Sequence, residues 1–342
     1  MNFHGMISYP NQPEFGESFI ERLFDIRTGV LSTRFAAAFV VVAGIGVTML
    51  TDSARVRRER SSMIEARLRL VRRGSILLLG GYFLDMAWPG TILFYYGAFF
   101  VIAASIFHLR TVHLIVIGLA DIAATLAVSI WRRSRLLDGD GTAWVSPSNI
   151  ESLQDFLART FLGHTHPVLP WMSFLIAGMI CGRHLEGFRA HWRSVAVTCT
   201  AITALTYLIV SIVRTVDVDS HAVVHILTSM QPDERGLAYI VSTLAIALVV
   251  LTVVFAAAER VRSHIVTIAL QRAGQLSLTV YLGHVLFYYA FVEWFGWATG
   301  TTIASSIGLA VSYWIFAIAA GSWWHRRVGQ GPAELLYRRL GG

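Results

Sequence analysis

Hydrophobic residues fall in nine long runs, separated by stretches where charged and polar residues collect: Phe35–Thr51, Gly74–Trp88, Thr91–Leu109, Val112–Trp131, Val168–Gly182, Trp192–Val213, Leu237–Ala258, Leu276–Trp297 and Thr302–Trp324. Most approach the roughly 20 residues that a helix needs to cross a bilayer. The pattern predicts an all-α fold, a polytopic transmembrane helix bundle of about nine spans. It divides the chain into an N-terminal segment (residues 1–34), a transmembrane domain (35–324) and a short tail (325–342), without a soluble module or an obvious internal repeat.

The polar stretches carry their own signals. Apolar residues at Phe15, Phe19, Leu23, Phe24 and Ile26 predict a helix lying on the membrane surface. Asp138-Gly-Asp-Gly is a turn signal. Ser148-Asn-Ile-Glu151 resembles a capping box that opens an amphipathic run through Leu153, Phe156, Leu157 and Phe161. A further loop, Arg214–Gly236, holds Asp217, Asp219, His221 and His225. The tail after Trp324 is a basic amphipathic segment suited to anchoring at the inner leaflet.

Charge gives an orientation. The chain has no lysine, and its 28 basic residues are all arginine. Assigning the loops to alternate sides puts 19 arginines on one side, eight of them in Arg55–Arg73, and nine on the other. The positive-inside rule then places the arginine-rich loops and the C-terminus in the cytoplasm, with the protein in the plasma (inner) membrane. Nine spans leave the N-terminus outside, yet residues 1–34 contain no signal peptide. A tenth helix preceding Met1 is therefore expected. A composition of 55% hydrophobic and 14% charged residues is too apolar for an ordinary soluble domain. The net charge of +7 follows from topology, so no nucleic-acid partner is expected. Cys181 and Cys199 have neither metal-ligand nor redox spacing and read as reduced structural thiols.

Ionisable groups inside spans are expensive and mark cavities or pathways by default. Asp121 sits mid-span, Asp85 near the outer end of its run, and His284 beside Tyr281 and Gly283. For Asp121 two readings stay open, a carboxyl group bonded to a neighbouring helix and a functional cavity. His4 and the pair His164 and His166, in Gly-His-Thr-His-Pro, reach the outer face. His-x-His supplies two ligands with no third in register, which does not make a metal site.

Several stretches together resemble the heparan-α-glucosaminide N-acetyltransferase-like family of membrane acyltransferases and its YeiB-type bacterial relatives. They are Asn2-Phe-His4, the Arg34-Phe-Ala-Ala-Ala-Phe span, Leu70-Val-Arg-Arg-Gly with Pro89-Gly-Thr-Ile-Leu, His166-Pro-Val-Leu-Pro-Trp, Gly274-Gln-Leu-Ser-Leu-Thr-Val-Tyr-Leu-Gly-His284 and Gly331-Pro-Ala-Glu334. They run over nearly the whole chain in the family's order. The chain departs from the family in lacking the Arg-Gly part of the first helix and in carrying Gln275 where Arg or Lys is usual.

The resemblance implies a fold of ten spans. It implies transfer of an acetyl or acyl group from cytosolic acyl-CoA, a cosubstrate and not a resident cofactor, to a hydroxyl or amine of an outer-face glycan or lipid. His4 would be the general base, with Asn2 orienting it or polarising the thioester, and His284 is the further candidate. Arg72, Arg73 and Arg183 would pair the CoA phosphates. Gly74, Gly80, Gly81, Gly178 and Gly182 would let the pantetheine arm pass between helices. Membrane lipids and a second copy of the chain complete the candidate partners. The competing functions are a small-molecule or lipid transporter and a non-catalytic membrane protein whose site has decayed.

Overall fold

A computed structural model describes residues 33–215, 221–296 and 303–342. The regular structure in these residues is helical throughout: α1 (Arg34–Arg57), α2 (Arg60–Ala87), α3 (Leu93–Ile106), α4 (Thr111–Leu137), α5 (Leu153–Phe161), α6 (Val168–Arg183), α7 (Leu185–Ala190), α8 (Trp192–Val213), α9 (Ala222–Thr228), α10 (Leu237–Arg260), α11 (Ile265–Gln275), α12 (Ser277–Tyr288), α13 (Ile303–Arg327) and α14 (Pro332–Gly341). Five of them, α1, α4, α8, α10 and α13, are long and apolar enough to cross a membrane, and α11 with α12 forms a sixth candidate bent by 83°. The chain is thus a multi-pass membrane protein. The remaining apolar runs form α3 and α6, which are shorter, and the second half of α2. At 14 residues α3 is about 21 Å long, less than the hydrocarbon thickness. It buries residues around much of its circumference, Phe94, Tyr95, Phe99 and Ala103 among them, as a helix enclosed by others must.

The described residues group into two compact units, Thr33–Ala256 with Gly341–Gly342, and Ala257–Leu340. In the first unit α1 packs on α6, α2 on α3, and α4 on α6. Small residues set these approaches, because helices in lipid associate through close packing and not through hydrophobic exclusion. A Cβ on Gly178 would run into the Val41 carbonyl, and one on Gly44 into the Leu175 carbonyl. A Cβ on Gly74 would lie 2.8 Å from the Gly97 carbonyl oxygen. Gly81 and Gly182 are likewise occupied by Phe94 and Thr48. These glycines therefore bring helices into contact, the role glycine commonly has in membrane helices. Gly80 alone of the five faces open space.

Helix α6 opens imperfectly. Leu169 leaves helical geometry (φ −86°, ψ 116°), which turns its carbonyl away from the N–H groups of the first turn. Asp121 of α4 supplies the replacement, its Oδ2 accepting from Ser173 N–H at 3.0 Å. The neighbouring-helix reading of Asp121 is the one the structure supports, with a backbone N–H as the partner. Helix α5 also begins differently from expectation. Its N-cap is Ser152, whose Oγ accepts from Asp155 N–H at 3.1 Å, so the capping box lies four residues beyond Ser148-Asn-Ile-Glu151. Ser152 is the residue directly before the amphipathic run, which is where the unpaired N–H groups are. The Asp138-Gly-Asp-Gly turn forms as expected, with Gly139 at φ 84°.

In the second unit the break between α11 and α12 frees the N–H groups of Leu278 and Thr279. Glu334 of α14 accepts both on one oxygen, at 2.6 and 3.0 Å, and takes the Thr279 hydroxyl on the other at 2.5 Å. A carboxylate at a helix N-terminus also meets the positive end of the helix dipole. Gly331 is required beside it, because a Cβ there would collide with Glu334 and come within 2.8 Å of Leu276. The tail motif Gly331-Pro-Ala-Glu334 is thereby the clamp on the α11–α12 bend. The bend falls at the start of the Leu276–Trp297 run, so α11 meets that run at a sharp angle.

The contrast between crowded and open glycines gives a direct test. Gly178→Val should lower the melting temperature in detergent by several degrees or prevent folding, since overpacking costs about 1–3 kcal/mol or more. Gly80→Val, which meets nothing within 4 Å, should melt like the wild type. Equal melting of the two variants would show that the α1–α6 crossing is not set by Gly178.

A buried polar cluster as the candidate functional site

At the end of the first unit reached by the loops expected to be external, five segments bring charged and titratable side chains together. Asp85 comes from the last turn of α2, Tyr95 from the start of α3, Arg159 from α5, His164 and His166 from the connection into α6, and Arg235 from the residues just before α10. The Arg159 guanidinium pairs with Asp85 Oδ2 and donates to the Ser148 carbonyl at 2.6 Å. Asp85 Oδ1 accepts from Gly90 N–H at 2.9 Å, so the same carboxylate ties off the turn after α2. Arg159 and Asp85 side chains are only 7% and 17% exposed. Removing either partner would leave a buried charge, which is far costlier than an exposed pair is worth.

Arg235, also buried, donates to the Leu162 and His164 carbonyls, each at 2.5 Å. His164 is held at three points: its N–H on Ser146 Oγ at 2.7 Å, its carbonyl on Arg235, and its Nδ1 3.1 Å from the Tyr95 hydroxyl. The Tyr95 hydroxyl also meets Arg159 and Thr165. Four non-glycine residues among those described have a left-handed backbone, and two of them are His164 (φ 66°) and Arg235 (φ 51°). Each such residue costs about 1–3 kcal/mol and persists only where surrounding contacts over-determine it. Two strained residues hydrogen-bonded to each other indicate a site built for placement.

His166 packs edge-on to Trp171 at 4.5 Å and lies 5.9 Å from the Tyr95 ring. Its Nδ1 is buried and has no hydrogen-bond partner among the described residues. Burial first, then the neighbouring charges of Arg159 and Arg235, pushes the His164 pKa down to about 4. Burial also pushes His166 down to about 3. Both imidazoles are neutral at ordinary pH. Desolvation lowers Arg235 as well, to about 10, which leaves it charged.

The residues singled out from the sequence are distributed differently. His4 and Asn2 lie outside the described residues, as does the surface helix expected at Phe15–Leu31. His284 is in the second unit, its Nδ1 on the Tyr281 carbonyl one turn back and its ring between Tyr281 and Tyr313 at 4.9 and 6.4 Å. Arg183 donates to the Phe107 carbonyl at 2.8 Å and to Thr111 Oγ1 at 3.4 Å, sealing the end of α3. Arg73 donates to the Gly342 carbonyl at 3.2 Å, and Arg72 is exposed. Of the polar groups noted in the sequence, Asp85, His164 and His166 are the ones brought together. Arg159, Arg235 and Tyr95 carried no distinguishing signal. An acid such as Asp85 at a span's end does demand a cation, but the outer stretch 132–166 offers Arg132, Arg133, Arg135 and Arg159, and spacing does not single out Arg159.

Residues 182–341, a little under half of the chain, match the family model described as Protein of unknown function (DUF418), a family of membrane proteins. The match includes Arg183, Arg235, His284 and the Glu334 clamp, and it carries no activity. No curated protein and no solved structure matches the chain.

The depressed histidine pKa makes a signed prediction. In the unfolded chain His164 titrates near its ordinary 6.5, whereas in the fold it stays neutral down to about 4. Between these values the unfolded state binds the extra proton, so the stability His164 permits is complete above about pH 6.5 and is lost as pH falls toward 4. Melting curves of wild type and His164→Gln should diverge, the wild type losing more between about pH 7 and pH 4.5. Parallel loss would mean that the fold does not hold His164 neutral.

Proposed function

We propose that the protein is an integral membrane acyltransferase that moves an acetyl or acyl group from acyl-CoA to a hydroxyl or amine of a glycan or lipid, with the chemistry at the His164–His166 cluster. The observation carrying this reading is the pair of neutral histidines, one fixed by a left-handed backbone and both beside buried arginines, at the end where the family resemblance expects the acceptor. A base of pKa about 3 or 4 takes a proton poorly near neutral pH. The same neutrality suits an N–H donor that polarises a carbonyl, as a depressed histidine can. His166 is assigned that role on the thioester oxygen, with the positive charge of Arg235 favouring the tetrahedral oxyanion. His4 remains the base and Asn2 its orienting partner, as the resemblance implies. The acceptor oxygen or nitrogen attacks the carbonyl and His4 takes its proton. The C–S bond then breaks and CoA leaves as the thiol, with the proton returned by His4.

On the carrier side, Arg72 is exposed, while Arg73 and Arg183 already donate to backbone carbonyls, so Arg72 is the first arginine assigned to the CoA phosphates, with Arg73 beside it. Transport has no comparable support, because Asp121 caps α6 and is not a free intramembrane acid.

Membranes containing the full chain, labelled acetyl-CoA and a pool of glycan and lipid acceptors provide the test, with calorimetry reporting CoA binding. His4→Ala should cost about 10²–10⁴ in transfer rate, as loss of a general base does. His166→Ala should cost about 10²–10³, as loss of one oxyanion donor does. Both should bind CoA like the wild type, and Arg72→Gln with Arg73→Gln should bind it more weakly. A wild-type chain that neither binds CoA at millimolar concentration nor transfers label would overturn the proposal.

A further inference from the structure

The second unit contains a cleft of about 480 Å³ between α11 and α13 that the proposed chemistry does not use. Each helix contributes one face. Ile265, Ile268 and Arg272 recur at helical spacing on α11, and Ile315, Ile318, Ser322 and Arg326 do so on α13. Both faces run from isoleucine to arginine. Ala273 lies against Gly321, which brings the Arg272 end of α11 to the level of Ser322 and the last turn of α13. The walls are apolar, and the charge is concentrated at the end of the α13 span, where headgroups lie.

Three features show that the cleft is chemically incomplete. Ser322 is 8% exposed, and its hydroxyl is buried in the wall with no hydrogen-bond partner among the described residues. Arg272 and Arg326 have no carboxylate partner among the described residues. Trp323, 59% exposed beside them, is the side chain favoured at a membrane interface. A buried hydroxyl is normally matched, so Ser322 marks the wall as incomplete, while the half-buried Arg272 and exposed Arg326 stand at the mouth of the cleft.

We infer that this cleft binds an anionic phospholipid, with Arg272 and Arg326 on the phosphate, Ser322 donating to a headgroup oxygen, and an acyl chain along Ile265, Ile268, Ile315 and Ile318. Arginine matches phosphate because its planar fork donates two parallel hydrogen bonds. Basic pockets between helices at the arginine-rich side of a membrane protein recognise anionic headgroups by this combination. A soluble phosphate would not use the isoleucine walls, and a zwitterionic lipid would not satisfy both arginines. The inference is independent of acyl transfer, since none of these residues belongs to the polar cluster.

Native mass spectrometry of the full chain in detergent, titrated with phosphatidylglycerol or phosphatidylcholine, tests it. The wild type should retain phosphatidylglycerol in preference to phosphatidylcholine. Arg272→Gln and Arg326→Gln should each weaken the phosphatidylglycerol complex about fivefold and together about thirtyfold, the scale expected for one or two arginines near a headgroup. Ser322→Ala should weaken it a few-fold. Neither arginine has an ion-pair partner to lose among the described residues, so the variants should melt like the wild type, which separates lost binding from lost folding. Equal retention of the two lipids, unchanged affinity in the double variant, or displacement by millimolar glycerol phosphate would each overturn the inference.

Discussion

A backbone N–H or C=O that leaves the helical ladder inside a bilayer finds no water to bond, and this structure is organised around that constraint. Helix α6 opens with a non-helical Leu169, and Asp121 reaches across from α4 to take Ser173 N–H. Helix α12 starts after an 83° bend, and Glu334 reaches from α14 to take two N–H groups and a hydroxyl. Carbonyl ends are treated with the opposite charge. Arg67 and Arg183 donate to Ala104 and Phe107 at the end of the short α3, and Arg235 donates to Leu162 at the end of α5. Acids serve helix N-termini and arginines serve helix C-termini, the arrangement that the helix dipole also favours.

This gives many charged groups a structural role before any catalytic one is assigned. Arg183, Asp121 and Glu334 are held by backbone groups. The cluster of Asp85, Arg159, His164, His166 and Arg235 goes beyond sealing ends. Its two left-handed residues hold each other, one imidazole nitrogen is left unbonded, and both histidines are kept neutral. Strain and unmet hydrogen-bonding capacity in one place are what a site prepared for a ligand contains.

The helical architecture was legible in the pattern of apolar runs, because hydrophobic length is the dominant signal for a membrane helix. What could not be read were the places where a helix breaks. Leu276–Trp297 is continuous in hydrophobicity, yet α11 meets it at a sharp angle. The N–H groups freed there are taken by Glu334, more than fifty residues later in the chain. The resemblance to Gly331-Pro-Ala-Glu334 marked that motif without its purpose. Asp85 and the His164–His166 pair were visible as unusual polar groups, and their burial was not, since Arg159 on α5 and Arg235 just before α10 reach them only once the chain folds back. Ser148-Asn-Ile-Glu151 misled because Ser152-Leu-Gln-Asp155 offers the same chemistry four residues on, directly before the amphipathic run. Glycines that suggested room for a ligand arm serve contact between helices, a distinction that spacing alone does not carry.

Hydrogen exchange at the two broken helices probes the organising constraint most directly. In the wild type, the amides of Ser173, Leu278 and Thr279 should be as protected as those in the middle of α1. Asp121→Ala should speed exchange at Ser173 at least about tenfold, and Glu334→Ala should do the same at Leu278 and Thr279, while α1 keeps its protection, as expected for local opening. Unchanged exchange at those amides in both variants would contradict the account, because it would mean that the carboxylates are not what satisfies the freed backbone.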